Sequence, residues 1–287
     1  MGEGEEENKI NIKLIGFILL IAFLAIILLW WYFNFKPSEI VSESDCRNSI
    51  KDRAMLNIKD LGIGIESVPL RCKVEYVCYV KAGAFTKNSC PDNYNVVKIN
   101  SKQGLIKDLV EREAKWWSIS GAGELNYAPK NYASPKPFCI QAGRFIFDKS
   151  ITYDSSMAIL TYDDFWSYME ANQVGATGKN YIQYVYGGKN NINTANDFKE
   201  YLKKFWKDNE NVDVKDPGKI FIMTNEPWIL FFGIAQESWL RETGEAFLAI
   251  GTLGVFGMER NVYYLYPWFF TEKNFQQASC SDVGAYS

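Results

Sequence analysis

An α+β domain, with helices packed on a mainly antiparallel sheet behind one amino-terminal transmembrane helix, is the fold this sequence predicts. Three observations carry that prediction. Residues Leu14 to Phe33 are twenty consecutive uncharged residues, and at 1.5 Å per helical residue they reach about 30 Å, the thickness of a bilayer's hydrocarbon core. Beyond them, strand-like and helix-like segments interleave without the regular period of βαβ units. All six cysteines also lie on the carboxyl side of the apolar run.

Residues 2–8 are acidic and poor in apolar side chains, which predicts a solvated tail over 1–13. The run 14–33 ends in Trp30, Trp31 and Tyr32, rings suited to a membrane-water interface, and no small-residue cleavage site follows. A retained anchor is therefore expected, then a linker over 34–43 and a domain over 44–287. Flanking charges do not orient the anchor, because Lys9 and Lys13 on one side face Lys36 and Arg47 on the other. The cysteines supply the orientation. Cys46, Cys72, Cys78, Cys90, Cys139 and Cys280 contain no C-x-x-C pair, and the chain has no histidine to complete a zinc site. An even, scattered set fits disulfides, which persist outside the reducing cytosol. The expectation is a cytoplasmic amino terminus and an extracytoplasmic domain in a single-pass cell-membrane protein.

Along the domain, Ile50, Ala54, Met55, Ile58 and Leu61 follow helical spacing and predict a helix over Ser44 to Leu61. Val68 to Val80 and Tyr94 to Ile99 read as a pair of strands joined by a hairpin-like connection. Ser101 caps a helix to Trp117, whose apolar face is Leu105, Ile106, Leu109, Val110, Trp116 and Trp117. Its charged face is read as Lys107, Asp108, Glu111, Arg112 and Glu113. Pro137 to Phe147 and Met157 to Leu160 read as strands, and a helix begins near Thr161 with Asp163 and Asp164 at its positive end. A further helix runs from Thr194 or Asn196 to about Lys207. Strands over Lys219 to Thr224 and Asn261 to Trp268 straddle a helix near Gln236 to Phe247.

Two apolar stretches, Trp228 to Ala235 and Ala246 to Met258, are too short to span a bilayer. Burial in the core is the preferred reading. The alternative is an exposed partner surface carrying Phe247, Leu248, Leu253 and Phe256. Among the cysteines, Cys78 and Cys90 flank the strand connection and are easily bridged; of the three ways to pair the other four, Cys72 with Cys139 and Cys46 with Cys280 is the one expected.

A net charge of −3 argues against nucleic-acid binding. The lack of histidine removes Ser-His-Asp and Cys-His catalysis and His-based metal sites, and no phosphate-binding glycine motif is complete, so no cofactor or metal is expected. Carboxylate chemistry survives. Its candidates are Glu124, the pair Asp163 and Asp164, and Glu242 with Glu245, with Trp116 and Trp117 as a sugar-stacking surface. For each, a capping, solvated or core role is the simpler reading.

Several segments resemble an uncharacterised group of single-pass membrane proteins with cysteine-containing ectodomains from small-genome archaea. They are Asp45-Cys46-Arg47-Asn48-Ser49, Cys72 within Pro-Leu-Arg-Cys-Lys, Trp117 with Gly121 to Glu124, Cys139 to Phe147, Tyr162 to Phe165 leading to Gly178 to Tyr181, and Val262 to Pro267 before Cys280. The resemblance implies an anchored, oxidised ectodomain and supplies no catalytic residue. It also implies a further cysteine pair near Trp116 and Ala142; this chain has Lys115 and Ala142 there, so that bridge is absent. Together these readings predict a non-catalytic, membrane-anchored interaction or surface-assembly protein. Its expected partners are the lipid bilayer and other membrane or surface proteins, and a homo-oligomer is open to it. The alternative is a histidine-independent carboxylate hydrolase acting on envelope or host glycans.

Overall fold

A computed structural model describes residues 23–24, 43–58, 69–84, 89–122, 125, 138–187, 192–210, 215–219, 221–236, 255–259, 262–271 and 282–283. The chain divides into two compact units, Met1–Val41 and Ser42–Ser287. In the first, only Phe23 and Leu24 are described; they are helical and exposed. The rest of the expected anchor, with Trp30, Trp31 and Tyr32, lies outside the described residues. Among those residues no helix is long and apolar enough to cross a membrane.

The second unit is α+β. In chain order its elements are α1 (Glu43–Ile58), β1 (Glu75–Lys81), β2 (Asn95–Ile99), α2 (Lys102–Ile119), β3 (Phe138–Phe147), α3 (Lys149–Thr152) and β4 (Ile159–Thr161). They continue with α4 (Tyr162–Ala171), α5 (Tyr181–Val185), α6 (Ala195–Glu210), β5 (Phe221–Met223), β6 (Trp228–Gln236), β7 (Val255–Glu259), β8 (Val262–Thr271) and β9 (Asp282–Val283). The main sheet has the order β2-β1-β3-β6-β8-β7, with β9 added to β3, and β4 pairs with β5 apart from it.

The sheet is mixed, which corrects the expectation of a mainly antiparallel one. β1 runs parallel to both β2 and β3, and β9 parallel to β3, whereas β3-β6, β6-β8 and β8-β7 are antiparallel. The expected hairpin between β1 and β2 does not form, because the chain after β1 folds back across one face of the sheet before β2 begins. Cys90 in that return is bonded to Cys78 of β1, with the two Cα atoms 5.8 Å apart. Tyr94 packs edge-on against Tyr76 with centroids 5.2 Å apart, and Arg144 of β3 donates to the Tyr94 hydroxyl at 2.5 Å. Cys78, Val80 and Tyr94, with Cys90 and Ile146, form a small apolar cluster on this face.

The larger core lies on the opposite face, under α2 and α4. Ser101 caps α2 by accepting from Gly104 N, and the stripe Leu105, Ile106, Leu109, Val110, Trp116 and Trp117 is buried as its spacing predicts. Tyr79 of β1 stacks on Phe145 and Phe147, Trp116 packs on Phe232, and Trp228 meets both Phe147 and Phe165. Each such side chain stabilises the fold by about 1.5 to 3 kcal/mol when fully buried. The apolar stretch from Trp228 is β6, flanked by β3 and β8, and its side chains from Trp228 to Phe232 are all buried, as a strand covered on both faces requires. In the second stretch, Phe256 belongs to β7 and is paired with Tyr264, while Phe247, Leu248 and Leu253 lie outside the described residues. So does the expected helix after Gln236, a residue that instead ends β6.

The cysteine pairing differs from expectation in one respect. Cys46 is bonded to Cys72, Cα to Cα 4.4 Å, so the pairs Cys72 with Cys139 and Cys46 with Cys280 are excluded. The reason is local. The chain leading into β1 runs alongside α1, where Arg71 N donates to Ser49 Oγ at 3.0 Å and Ser49 Oγ donates to the Cys46 carbonyl at 2.8 Å, which brings Cys72 beside Cys46. Cys139 is also disulfide-bonded.

Replacing Cys46 and Cys72 together with Ser should lower stability by about 3 to 4 kcal/mol in the chain-entropy account, read as a shift of the urea midpoint. Gly143→Ala should cost about 1 to 3 kcal/mol, because an added Cβ would meet the Phe145 ring at 2.6 Å and the Glu75 carbonyl at 3.3 Å. An unchanged midpoint would show that β3 has room to shift there.

Candidate functional site

Among the described residues, two surface depressions bring polar side chains together. The first is an open groove of about 560 Å³ between the start of α1, one side of α2 and the segment leading into α5. Its floor is apolar, formed by Ala114, Ile119 and Val174. Glu43 and Arg47 come from α1, Glu111 and Lys115 from α2, and Tyr181 and Tyr184 from α5. Asn180 places both tyrosines, since it caps α5 in a reciprocal pair with Gln183: Gln183 N donates to Asn180 Oδ1 at 2.7 Å, and Asn180 N to Gln183 Oε1 at 3.2 Å. Burial, reinforced by the nearby charge of Glu111, raises the Tyr181 phenol above its ordinary range, so it remains a neutral donor.

A relay of charges runs from this groove into the domain. Lys115 donates to Glu43 at 2.9 Å and lies 3.6 Å from Glu75, whose other oxygen pairs with Arg112. Arg112 Nε donates to Asp108 Oδ2 at 2.6 Å, and the buried Tyr79 hydroxyl donates to the same oxygen at 2.6 Å. Burial, then the Asp108 charge, pushes the Tyr79 phenol well above its usual value. Burial opposes the charge on Arg112, but Tyr79, Asp108 and Glu75 outweigh it and keep the guanidinium protonated. Such a set fixes α2 on β1.

The second depression, of about 620 Å³, sits at the carboxyl ends of β1 and β3 and is lined by Lys81, Ser89, Asp148, Lys149, Ser150, Tyr153 and Asp154. Ser89 donates to Asp148 Oδ2 through its backbone N at 2.8 Å and its hydroxyl at 2.7 Å, and Ser150 N donates to Oδ1 at 2.8 Å. Burial works against the Asp148 charge, but these hydrogen bonds prevail and hold its carboxyl well below the usual range. The Ser89 hydroxyl proton is thus committed to an acceptor too weakly basic to remove it. Asp154 is likewise pulled down to about 2, first by Lys81, whose ammonium lies 2.5 Å away, and then by Ser156.

Of the carboxylates singled out in the sequence, the described pair Asp163 and Asp164 is engaged at the start of α4. Asp164 accepts from Thr161 N at 2.7 Å in a capping box and pairs with Lys102 at 2.7 Å; Asp163 pairs with Lys199. Glu124, Glu242 and Glu245 lie outside the described residues. Trp116 and Trp117 are buried core, not a sugar-stacking surface. Among the described residues no cysteine is free, and no group of three or more histidine, cysteine or acidic side chains is placed to hold a metal.

Sequence reasoning missed Glu113, assigning it to the charged face of α2. It is fully buried. Tyr186 donates to its Oε1 at 2.5 Å, its Oε2 has no hydrogen-bond partner, and burial pushes its carboxyl up to about 8. A signal was present, since Glu113 stands three residues after Val110 and four after Leu109 and so shares their stripe.

Comparison with protein families, curated proteins and solved structures finds no match to this chain.

Because the Glu113 carboxyl is protonated in the fold up to about pH 8 but ionises near 4.5 when unfolded, the unfolded state binds fewer protons between those values. Stability should therefore fall as pH rises across that window, by up to about 1.4 kcal/mol per pH unit from this group. Glu113→Gln should flatten that slope in urea titrations at pH 5, 6.5 and 8; an unaltered slope would mean the carboxyl ionises within the fold.

Proposed function

We propose that this chain is a membrane-anchored extracytoplasmic interaction module, held by the apolar run 14–33, with its groove between α1, α2 and α5 as the recognition surface. The observation that carries the reading is the cystine set. Cys46–Cys72 and Cys78–Cys90 are bridged and Cys139 is bonded as well, a state that persists in an oxidising compartment. All of these lie on the carboxyl side of the apolar run, so the domain is assigned to the outside and the acidic tail to the cytoplasm. The resemblance to anchored archaeal ectodomains points the same way.

The groove supports recognition more than turnover. Arg47 and Glu111 offer opposite charges beside two phenols on an apolar floor, a mixture typical of polar protein surfaces that bind other chains. The acids that are most perturbed, Asp148, Asp154 and Glu113, are each locked by hydrogen bonding or burial into one protonation state at pH 7. One feature favours the glycan-hydrolase reading: Glu43 and Glu111 line the same groove as Tyr181 and Tyr184. Glu43→Gln with Glu111→Gln should abolish any hydrolysis of cell-envelope glycans if that reading holds.

Intact cells carrying the full chain should lose the carboxyl-terminal domain to an added protease while the amino-terminal tail is protected. Thiol alkylation should label the domain only after reduction. A protected domain, or cysteines that alkylate without a reductant, would overturn the assignment.

A further inference from the structure

Among the described residues, β2 is paired only with β1 and forms one edge of the sheet. Ladder geometry fixes which of its backbone groups face outward. The Ile99 carbonyl accepts from Ala82 N at 2.8 Å on the β1 side, so by strand alternation Ile99, Val97 and Asn95 direct their backbone groups to β1. Val96 and Lys98 direct theirs to the open side. Two apolar side chains are exposed at the same place: Val96 lies beside Cys78 in register, and Tyr76, two residues earlier on β1, shares that face. Each is 38% exposed. An open edge with apolar flanks is a template for another strand.

We propose that β2 pairs antiparallel with β2 of a second copy of this chain, about a two-fold axis through Val97 and normal to the sheet. This register follows from the sequence Asn95-Val96-Val97-Lys98-Ile99. An axis through the central residue pairs the whole strand and sets Val96 opposite Lys98 of the other copy. Both of those residues have outward backbone groups, so they form hydrogen-bonded pairs that exchange N–H and C=O. An axis through Lys98 would oppose two ammonium groups, and one through Val96 would require Tyr94, which is held in the return loop by Arg144. Lys98 therefore selects the register while discouraging indiscriminate edge pairing.

A two-fold normal to the sheet keeps the helical faces of both copies on one side. α1 belongs to that side, since Cys46 and Ile50 lie in the larger core and Arg53 sits over the Phe138 ring at 5.8 Å. Two chains entering from one membrane surface meet that condition; this clause rests on the anchored reading, whereas the pairing does not.

The test uses the full chain in detergent micelles. In this register Val97 faces its own copy as a non-hydrogen-bonded pair with Cα atoms about 4.5 Å apart, within disulfide range. Val97→Cys should cross-link to a dimer on mild oxidation at least roughly fivefold more than Val96→Cys, whose neighbour is Lys98. Val96→Pro removes an N–H on the open side without touching the β1 ladder, so it should yield monomers whose far-UV circular dichroism matches that of the unsubstituted chain. The unsubstituted chain should show twice the 32.9 kDa protein mass by light scattering. A monomeric mass for that chain, equal cross-linking at the two positions, or none at Val97 would overturn the proposal. Because the assay is indifferent to orientation and compartment, its failure leaves the anchored reading standing.

Discussion

Everything in the domain depends on β3 finding backbone partners along both of its edges. On one side β6 follows it from Phe138 to Phe145, and on the other β1 takes its second half and β9 its first two residues. A strand with partners on both sides cannot leave its N–H and C=O groups unpaired without costing about 1 to 3 kcal/mol each. β3 therefore draws together segments separated by nearly the whole length of the domain. The register shift between Gln141 and Gly143 belongs to the same constraint: it lets the strand bend so that Gly143 passes close to the Phe145 ring and Glu75.

Over that sheet, α2 joins burial to charge. Its apolar stripe fills the core, while Arg112 and Asp108 at the boundary meet Glu75 and Tyr79 of β1. The charges orient the helix, and beneath it Tyr79 stacks on Phe145 and Trp116 packs on Phe232. Glu113 is the exception within the stripe. A carboxyl kept neutral by burial and held by Tyr186 costs stability at high pH, and nothing in the catalytic sense repays it among the described residues.

The two disulfides between described cysteines act on different parts of this arrangement. Cys78–Cys90 fastens the return loop to β1 and so permits a parallel neighbour where a short connection would have forced an antiparallel one. Cys46–Cys72 fastens α1 to the chain entering β1. Both harden the part of the domain nearest in sequence to the apolar run. A rigid β1–β2 edge is also what a strand-paired second copy would require.

Local signals were legible in the sequence because they act over a few residues. Ser101, Thr161 and Asp164 cap helices where their spacing said they would, the stripe of α2 is buried, and Asp163 and Asp164 sit at a helix start. Bridging Cys78 to Cys90 was likewise a short-range inference. What only tertiary structure decided was long-range: the direction of β2, the partner of Cys46, and the burial of Glu113. Strand direction depends on the route of the connecting chain, and cystine partners on which segments lie side by side. A carboxyl's charge state depends on what covers it. None of these is written in the spacing of neighbouring residues, so the sequence determined the fold class and the capped, amphipathic helices, and packing determined that the apolar stretch from Trp228 is a strand, the topology and the electrostatics.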